Sequence, residues 1–427
     1  MRKILLVSPY FAPLIYPDLH RIRMMLPYLP LHGWEPLVLS LDPHTHPGIK
    51  DEWLTQTIPQ DIKAHFATFT PWQSRLIPSR PWRAIGILAH AGNQIIEQEK
   101  PDLIYFSTTM FPVMSLGPYW LKRYGIPYLV DWQDPWVSDY YSRTNTKPPG
   151  GYLKYGISQL LGRYLEPEVL RHASHIITVS PSYPLMLQSR YPWLNNQQFT
   201  VLPFGGTSYD FEILRNLPIR NPIFAPDDGY THWVYLGRFI QSMHYALASL
   251  FAAIQQHRQN YPQQWSKIKL HFIGTHYDIN ATDSPIQNLA NTYNLNDMVN
   301  EYPQRIPYLS VLKTMTDSDG LIILGSDDQG YTPSKLYPCI LANRAIFALM
   351  HQNSSIVHII KETNSGHVIT FSDQQNTDAT INEIKQHLPW FLLQSKSNLI
   401  NTNWDKFEPY TAKSLTQKHT EIFDKYV

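Results

Sequence analysis

Strand-length apolar runs alternate with helical patterns along almost the whole chain, and this alternation limits the possible folds more than any other feature. Runs such as KILLVS (3–8), DLIYFS (102–107) and GLIILGS (320–326) have the composition of buried strands, and segments of helical periodicity separate them. Alternation of this kind predicts parallel sheets covered by helices on both faces. The pattern stops and restarts once, so we expect an α/β protein with two Rossmann-like domains.

The restart of the pattern indicates where the domains meet. A segment rich in proline and polar residues, 214–229, follows the first series of strands, and HWVYLG (232–237) opens the second. We therefore predict an N-terminal domain over 1–213, a linker over 214–229 and a C-terminal domain over 230–395. Residues 396–427 are predicted to end in an amphipathic helix that packs back toward the N-terminal domain. Two such domains are expected to face one another across a ligand-binding cleft.

Length, charge and cysteine content exclude several classes of function. The 427 residues fit two domains, and a net charge of +1 gives no sign of a nucleic-acid partner. Cys339 is the sole cysteine, which excludes an intrachain disulfide and a cysteine-based zinc site. The start MRKILLVSPYFAP is too poor in apolar residues for a signal peptide, and no run is long enough to span a membrane. We expect a cytoplasmic protein.

The stretch GSDDQGYTPSKLYPCILANRAIFALM (325–350) has the strongest signal for a ligand. Lys335 follows Pro333 and Ser334 at the predicted start of a helix, with Ser334 as the expected N-cap, and the helix should end at a left-handed Asn343. Free backbone N–H groups and a lysine at one helix end form an anion site. An ordinary surface lysine on a loop between strand and helix is the alternative.

A second clue follows the first strand of the C-terminal domain. Gly237 ends that strand and Arg238 begins the loop after it, in VYLGRFIQSMHYAL. The carboxyl ends of parallel strands share one edge of a sheet, where ligands bind. Arg238 and Lys335 are therefore expected near one another, and two cations so placed would bind a diphosphate.

These segments resemble the donor half of family 4-like glycosyltransferases with the GT-B fold. KLYPCILANRAIFA (335–348) is similar to the family pattern Lys-Leu-x-Glu-Tyr-x-Ala-x-Gly-Lys-Pro without a gap, and resembles a bacterial branch with an SKxYP helix. GIPYLVDWQDPW (125–136) resembles a first-domain segment of such enzymes. The opening SPYFAP…GWEPLVLS resembles their first strand, helix and second strand, and VLPFGGTSYDFE (201–212) stands where they carry Asn-Gly-x-Asp.

The resemblance implies a reaction. Such an enzyme transfers a hexose from a nucleoside-diphosphate sugar to a hydroxyl group of a glycan, lipid or small molecule, with retention of configuration and without a metal or other cofactor. The two glutamates that the family carries here correspond to Gly330 and Pro338, so Asp327 and Asp328 are the candidate substitutes for the first. The remaining donor-side candidates are those for the diphosphate, Arg238, Lys335 and Ser334, and those for the sugar or nucleotide, Gly237, Gly325, Ser326, Tyr331, Thr332 and Tyr337.

The acceptor is expected in the first domain. Asp134 is the candidate for orienting or deprotonating the acceptor hydroxyl, with Gln133 beside it; the alternative is that Asp134 only caps the turn before Pro135. Asp18 and Arg21 in the first loop between strand and helix are further acceptor-side candidates, with Asp18 as a simple N-cap the alternative. The spacing of the histidines does not favour a metal site.

Two other functions stay open from the sequence. Loss of both family glutamates is also compatible with a non-catalytic protein that binds a sugar nucleotide or glycan, and a sugar-nucleotide epimerase shares the fold. Arginines interleaved with aromatic residues over 66–90 would suit a peripheral contact with the inner face of the membrane, although a lid or a packed helix is the favoured interpretation.

Overall fold

The computed structural model describes the chain except for a few short segments and divides it into two compact units. The described residues are 1–68, 80–138, 148, 151–276, 283–328, 331–374, 376–397 and 400–427. The first unit comprises Met1–Phe204 and Ala412–Val427, and the second comprises Gly205–Thr411. The change of unit thus comes at Gly205, and the segment 214–229 lies within the second unit.

The first unit contains a parallel sheet of seven strands. They are β1 (Arg2–Val7), β2 (Trp34–Leu41), β3 (Lys63–Ala67), β4 (Leu103–Ser107), β5 (Tyr128–Trp132), β6 (His175–Thr178) and β7 (Phe199–Val201). Their order across the sheet is β3-β2-β1-β4-β5-β6-β7, with every pairing parallel. The chain therefore moves outward from β1 in one direction and from β4 in the other, which makes β1 and β4 the topological switch point.

Helices cover both faces of this sheet. They are α1 (Leu19–Met25), α2 (Arg80–Glu99), α3 (Leu116–Tyr124), α4 (Gly151–His172) and α5 (Ser182–Arg190). Side chains of β1 alternate between two apolar clusters: Leu5 and Val7 belong to one, Ile4 and Leu6 to the other. A strand covered on both faces has no polar face, which is why the four consecutive residues 4–7 are all apolar.

The second unit repeats the plan with six parallel strands. They are β8 (Thr231–Leu236), β9 (Ile268–Ile273), β10 (Val299–Tyr302), β11 (Gly320–Leu324), β12 (Ala345–His351) and β13 (Gly366–Phe371), in the order β10-β9-β8-β11-β12-β13. The helices are α6 (Ser208–Arg215), α7 (His244–Asn260), α8 (Pro262–Trp265), α9 (Pro285–Thr292), α10 (Tyr308–Asp317), α11 (Leu336–Leu341), α12 (Ser355–Thr363), α13 (Thr377–Ser397) and α14 (Trp404–Phe407). The switch point lies between β8 and β11.

The last helix, α15 (Ala412–Phe423), returns to the first unit. The buried ring of Phe423 packs edge-on to Trp34 and against Tyr105, at centroid distances of 5.7 and 5.4 Å. The carboxylate of Asp424 accepts hydrogen bonds from Arg2 at 2.7 Å and from the Trp34 indole at 3.1 Å. Phe423 thus covers one face of the first sheet through apolar contacts. Asp424, directly after the helix, forms an ion pair with Arg2 at the start of β1.

The sequence predicted the central strands and missed two at the edges. β3 and β10 each lie at one edge of their sheet. One residue of the five in β3 and one of the four in β10 is buried, so neither strand shows the apolar run of a central strand. The predicted left-handed Asn343 is confirmed, with φ of 53°.

We predict that Phe423→Ala lowers the free energy of unfolding of the first unit by about 3–5 kcal/mol, because it removes a fully buried ring from an aromatic cluster. Hydrogen exchange of the β1 and β4 amides measures the change in this unit separately from the second. Val427→Ala, an exposed position in the same tail, is the control. Equal exchange rates in the two variants would contradict the packing described for α15.

Candidate functional site

The donor-side candidates of the second unit lie at the switch point of its sheet. Gly237 and Arg238 directly follow β8, and the segment 325–328 directly follows β11, its neighbour in the sheet. In open parallel sheets this is the position at which ligands bind.

The end of β11 is fixed by close backbone packing at Gly325. A Cβ atom at this position would lie 2.8 Å from the Leu349 carbonyl oxygen and 2.8 Å from the Met350 Cα, and backbone atoms of a neighbouring strand cannot move aside cheaply. The Gly325 N–H donates to the same carbonyl at 2.6 Å. Gly325 therefore sets where the loop leaves the sheet.

Two serines join the loop after β11 to the loop after β8. The Ser326 hydroxyl donates to the Ser242 hydroxyl at 2.9 Å and accepts the Asp328 N–H at 3.0 Å, and the Asp327 N–H donates to the Ser242 carbonyl at 2.9 Å. Ser326 is buried, and Asp327 and Asp328 are exposed. Hydrogen bonds to Ser242 and Ser326 thus fix the backbone at Asp327 and Asp328, while the side chains of both aspartates are exposed.

Lys335 is the most unusual residue of the site. Its Nζ is buried, lies 4.1 Å from the centre of the Tyr235 ring, and has no hydrogen-bond partner among the described residues. Burial lowers the pKa of Lys335 to about 8. The ring stabilises the ammonium in part, since a cation over an aromatic face contributes roughly 0.5–2 kcal/mol. A buried ammonium without an acceptor is costly, which makes Lys335 a candidate for contact with an anion.

Gly237 makes room for this ammonium. Its φ is 120°, a conformation that side chains rarely adopt, and a Cβ there would lie 2.7 Å from the Lys335 Nζ. The Tyr235 hydroxyl donates to the Arg238 carbonyl at 2.7 Å, so the ring under the ammonium also holds the backbone that carries Arg238. The structure therefore brings Gly237, Lys335 and the Arg238 backbone together around one tyrosine, and the Arg238 side chain is exposed.

Tyr331 and Thr332 lie in the segment before α11. The Tyr331 N–H donates to the Asp328 carbonyl at 3.0 Å, and its carbonyl accepts from the Ser354 hydroxyl at 3.1 Å. The Thr332 and Ser355 hydroxyls are 3.3 Å apart. Gly330, which corresponds to one of the family glutamates, lies outside the described residues.

The helix expected at Lys335 differs from the prediction in two ways. It begins at Leu336 with Lys335 itself in the N-cap position, so Ser334 as N-cap is wrong, and Ser334 lies exposed before it. The six-residue helix is too short to contribute much of a dipole, so the anion site depends on the ammonium. Tyr337 is fully buried with its ring 6.0 Å from that of Tyr410, which does not leave its side chain accessible to a ribose.

A cavity of about 310 Å³ lies beside Asp327 and was not foreseen from the sequence. Its lining includes Tyr245, Tyr293 and Ser249, and the buried Ser249 hydroxyl has no hydrogen-bond partner in the described part of the chain. The sequence held no signal for the cavity, because its walls come from α7, the residue after α9 and the first turns of α13.

Two acceptor-side candidates are engaged in a buried network in the first unit. The Asp131 carboxylate accepts from Ser107 at 2.9 Å and from Gln133 at 2.7 Å, and pairs with the Arg21 guanidinium at 2.9 Å. Arg21 also donates to the Leu202 carbonyl at 3.0 Å. Arg21 and Gln133 are 4% and 7% exposed, so both serve internal contacts. Asp131, at the centre of the network, was not among the candidates predicted from the sequence.

Asp18 does not cap its helix. Within the described residues its side chain makes no bond to the α1 amides; its Oδ2 instead accepts from the Thr109 N–H at 3.1 Å and the Thr108 hydroxyl at 3.2 Å. Asp18 thus stands in the N-cap position of α1, as the alternative has it, but its side chain makes no capping bond. Its Oδ1 is buried without a hydrogen-bond partner in the described part of the chain, and burial raises the pKa of this carboxyl.

Asp134 is the exposed carboxylate of the acceptor-side set. A buried glutamate holds the loop that carries it: Glu166 accepts from the Val137 N–H at 3.0 Å and pairs with Arg190 at 2.5 Å. Arg190 in turn donates to the Val137 carbonyl at 2.8 Å. These bonds fix the backbone at Val137, three residues after Asp134, near the carboxyl edge of the first sheet.

The described residues contain neither a cluster suited to a metal ion nor a helix suited to spanning a membrane. No group of three or more His, Cys, Asp or Glu side chains in these ranges is arranged to hold a metal ion. Over the same residues, no helix combines the length and apolar character that crossing a membrane requires.

Comparison with solved structures establishes the fold class: the chain has the GT-B fold of two Rossmann-like domains, and its neighbours include glycosyltransferases. Sucrose-phosphate synthase from Thermosynechococcus elongatus is 14% identical with a TM-score of 0.62, over 100% of this chain and 99% of that one. Anabaena HepE, in complex with UDP and glucose, is 14% identical with a TM-score of 0.61 over the whole of both chains.

An epimerase has the same architecture. UDP-GlcNAc 2-epimerase from Neisseria meningitidis, bound to UDP-GlcNAc, is 14% identical with a TM-score of 0.55 over the whole of both chains. No protein-family model and no curated protein matches the sequence. At these identities the likeness shows the fold, and membership of family 4 stays a prediction.

We predict that Lys335→Met raises the free energy of unfolding at neutral pH by about 1–3 kcal/mol, because it removes a buried charge without an acceptor. The advantage should shrink with rising pH. The folded-state pKa of about 8 lies below the unfolded value of 10.5, so the unfolded chain binds more protons between these pH values and the wild type gains stability there. Denaturant unfolding across that range, with the exposed Lys267→Met as control, measures both effects. A less stable Lys335→Met protein would show that the ammonium has an internal acceptor.

Proposed function

We propose that this chain is a glycosyltransferase that moves a hexose from a nucleoside-diphosphate sugar to a hydroxyl acceptor. The observation that carries the proposal is the buried Nζ of Lys335, which lacks a hydrogen-bond partner among the described residues and lies beside Gly237 at the switch point of the second sheet. Neighbours with the same fold hold UDP, UDP-glucose or UDP-GlcNAc, whose diphosphate is the anion such a site would bind.

The lysine supports both binding and chemistry. When the bond between the anomeric carbon and the β-phosphate oxygen breaks, negative charge develops on the departing diphosphate. An ammonium fixed in a dry site stabilises that charge more strongly than water does, and needs no reorganisation at the moment of reaction. Arg238 adds a second cation from the loop after β8. The proposed reaction is retaining and independent of metal, and both properties come from the family resemblance.

The other proposed roles belong to residues in the loops after β5, β8 and β11. Asp327 and Asp328 accept hydrogen bonds from hydroxyls of the donor sugar, and the cavity beside Asp327 gives the space. The absence of a side chain at Gly237 lets the diphosphate approach the backbone. Asp134 in the first unit orients the acceptor hydroxyl and takes up its proton as the new glycosidic bond forms.

Epimerisation is the second candidate, because a UDP-GlcNAc 2-epimerase shares the fold over its whole length. The two reactions differ in the need for an acceptor. Incubation with UDP-GlcNAc alone would yield the epimer if the chain is an epimerase, and at most slow hydrolysis if it is a transferase. Tight nucleotide binding with turnover in neither assay would indicate a non-catalytic binding protein.

We predict that Lys335→Ala and Arg238→Ala each weaken UDP binding by about 1.5–3 kcal/mol, which is roughly tenfold to 150-fold, because each removes a charge-assisted contact to the diphosphate. Titration calorimetry without metal measures the affinity, and GDP, dTDP and ADP are titrated in parallel. Lys267→Ala is the matched control and should bind like the wild type, because Lys267 directly precedes β9 at the amino-terminal end of the strands. Unchanged affinity in both site variants would remove the proposal.

We further predict that UDP binding is coupled to protonation of Lys335. With a pKa of about 8 the amine is mostly charged at neutral pH, so binding there takes up few protons. At about pH 9 the amine is mostly neutral, so binding should take up close to one proton. The affinity for UDP should be about tenfold weaker there than at about pH 7. Calorimetry in buffers of different ionisation enthalpy measures the uptake. Uptake that is the same in wild type and Lys335→Ala would assign the proton to another group.

A further inference from the structure

The helix that follows β5 is longer than its sheet requires. The 22 residues of α4 span about 33 Å, whereas the five residues of β5 span about 17 Å. The carboxyl-terminal end of α4 packs in the core through the buried Val169 and Leu170, and the chain then enters β6. A helix between two parallel strands runs antiparallel to them, so the amino-terminal half of α4 extends past the carboxyl edge of the sheet.

This projecting half exposes a continuous apolar stripe. Leu153, Ile157, Leu160 and Tyr164 are 80%, 52%, 70% and 77% exposed, and their spacing of i, i+4, i+7 and i+11 places them on one side of the helix. We refer to these four residues as the outer face of α4. It is about 16 Å long.

Basic residues border this face. At 100° per residue, Lys154 lies on one flank of the outer face and Arg163 on the other, and residues 151–165 contain no Asp or Glu. Leucine and isoleucine at the centre, with tyrosine and long basic side chains at the margins, match the layers of an anionic lipid surface. The aliphatic side chains enter the acyl boundary while the ammonium and guanidinium groups reach the phosphates.

The opposite side of the half-helix is fixed to the loop after β5. The Tyr155 hydroxyl donates to the Ser138 carbonyl at 2.5 Å, and the Gln159 side chain accepts the Ser138 N–H at 3.1 Å. At Gly162 the helix passes so close to Trp136 that a Cβ would lie 3.1 Å from the indole nitrogen. The outer face is therefore mounted rigidly on the loop that carries Asp134.

We propose that the outer face of α4 docks on an anionic membrane surface, and that the acceptor hydroxyl belongs to a membrane-borne molecule. The second part rests on the proposed function. The basic flanks and the lack of Asp and Glu over 151–165 complement an anionic lipid surface in charge, and the exposed aliphatic side chains complement its acyl boundary. Basic residues also outnumber acidic ones in the first unit as a whole, while the reverse holds in the second.

Vesicle flotation tests the docking. The full chain should float with vesicles of phosphatidylcholine containing about 30% phosphatidylglycerol, and less with phosphatidylcholine alone. Leu153→Gln combined with Leu160→Gln should lower the partition coefficient about tenfold or more, because it removes two apolar side chains from the acyl boundary. Leu185→Gln on α5, where the leucine is 69% exposed, is the matched control and should float like the wild type.

A fluorescent label adds a local readout. Ile157→Cys can carry an environment-sensitive fluorophore selectively, because Cys339, the only native cysteine, is buried. The emission should shift to the blue when the anionic vesicles are added. An unshifted emission would overturn the docking even if the protein floats, since binding would then occur through another surface.

Other outcomes also decide the question. A wild type that fails to float, or a double variant that floats as well as the wild type, overturns the proposal. A wild-type dimer that the double variant dissociates, without vesicle binding, assigns the outer face to self-association. The UDP affinity of each protein is measured in parallel: retained affinity in the double variant shows that it is folded. A wild type that floats but binds no nucleotide contradicts the proposed function and leaves the docking intact.

Discussion

Parallel strands that are covered by helices on both faces bury mostly apolar side chains and carry most of their polar groups near the strand ends, and this constraint governs both units. Along β1 every inward position is apolar on either face, and the polar side chains begin where the strand stops. In the first unit the strand ends hold the Asp131 network. In the second they hold the Lys335 ammonium. Ordinary packing thus concentrates polar chemistry at two sheet edges, and function has to be sought there.

The buried charges at the two sheet edges differ in whether they have a counter-charge within the fold. The Oδ2 atom of Asp131 accepts from Ser107 and Gln133 and pairs with Arg21, so this carboxylate has a counter-charge within the fold, while its Oδ1 has no hydrogen-bond partner in the described part of the chain. Lys335 is held over a tyrosine ring with no acceptor in the described part of the chain, which makes the folded protein less stable than it would be with a neutral side chain at this position. Chains tolerate such a cost where a ligand offsets it. The difference between a carboxylate with a counter-charge and an ammonium without one is the reason for proposing a binding role for Lys335 and not for Asp131.

The sequence predicted what depends on long apolar runs and on topology. It predicted the central strands, and it expected Arg238 near Lys335 because the ends of adjacent strands share an edge. In the structure Gly237, the residue before Arg238, lies against the Lys335 ammonium, and the Arg238 side chain is exposed. It did not predict features that depend on helix phase or on a side chain's choice of partner. The burial of Tyr337 follows from where α11 begins, and Asp18 bonds to Thr108 and Thr109, which directly follow β4 and are about 90 positions away in the sequence. Neither can be read from local spacing.

Under the proposed function, donor recognition falls to groups other than the two glutamates of the family that the sequence resembles. Pro338 offers neither a carboxylate nor an N–H, so it has no hydrogen bond to give a ribose from its side chain. Ribose and base contacts would then come from backbone groups of the loops after β8 and β11. Those backbones are fixed by the serine pair and by Gly325, and are therefore preorganised. Backbone recognition tolerates sequence change, so the proposed donor site is compatible with a GT-B chain that departs from the family pattern at these two positions.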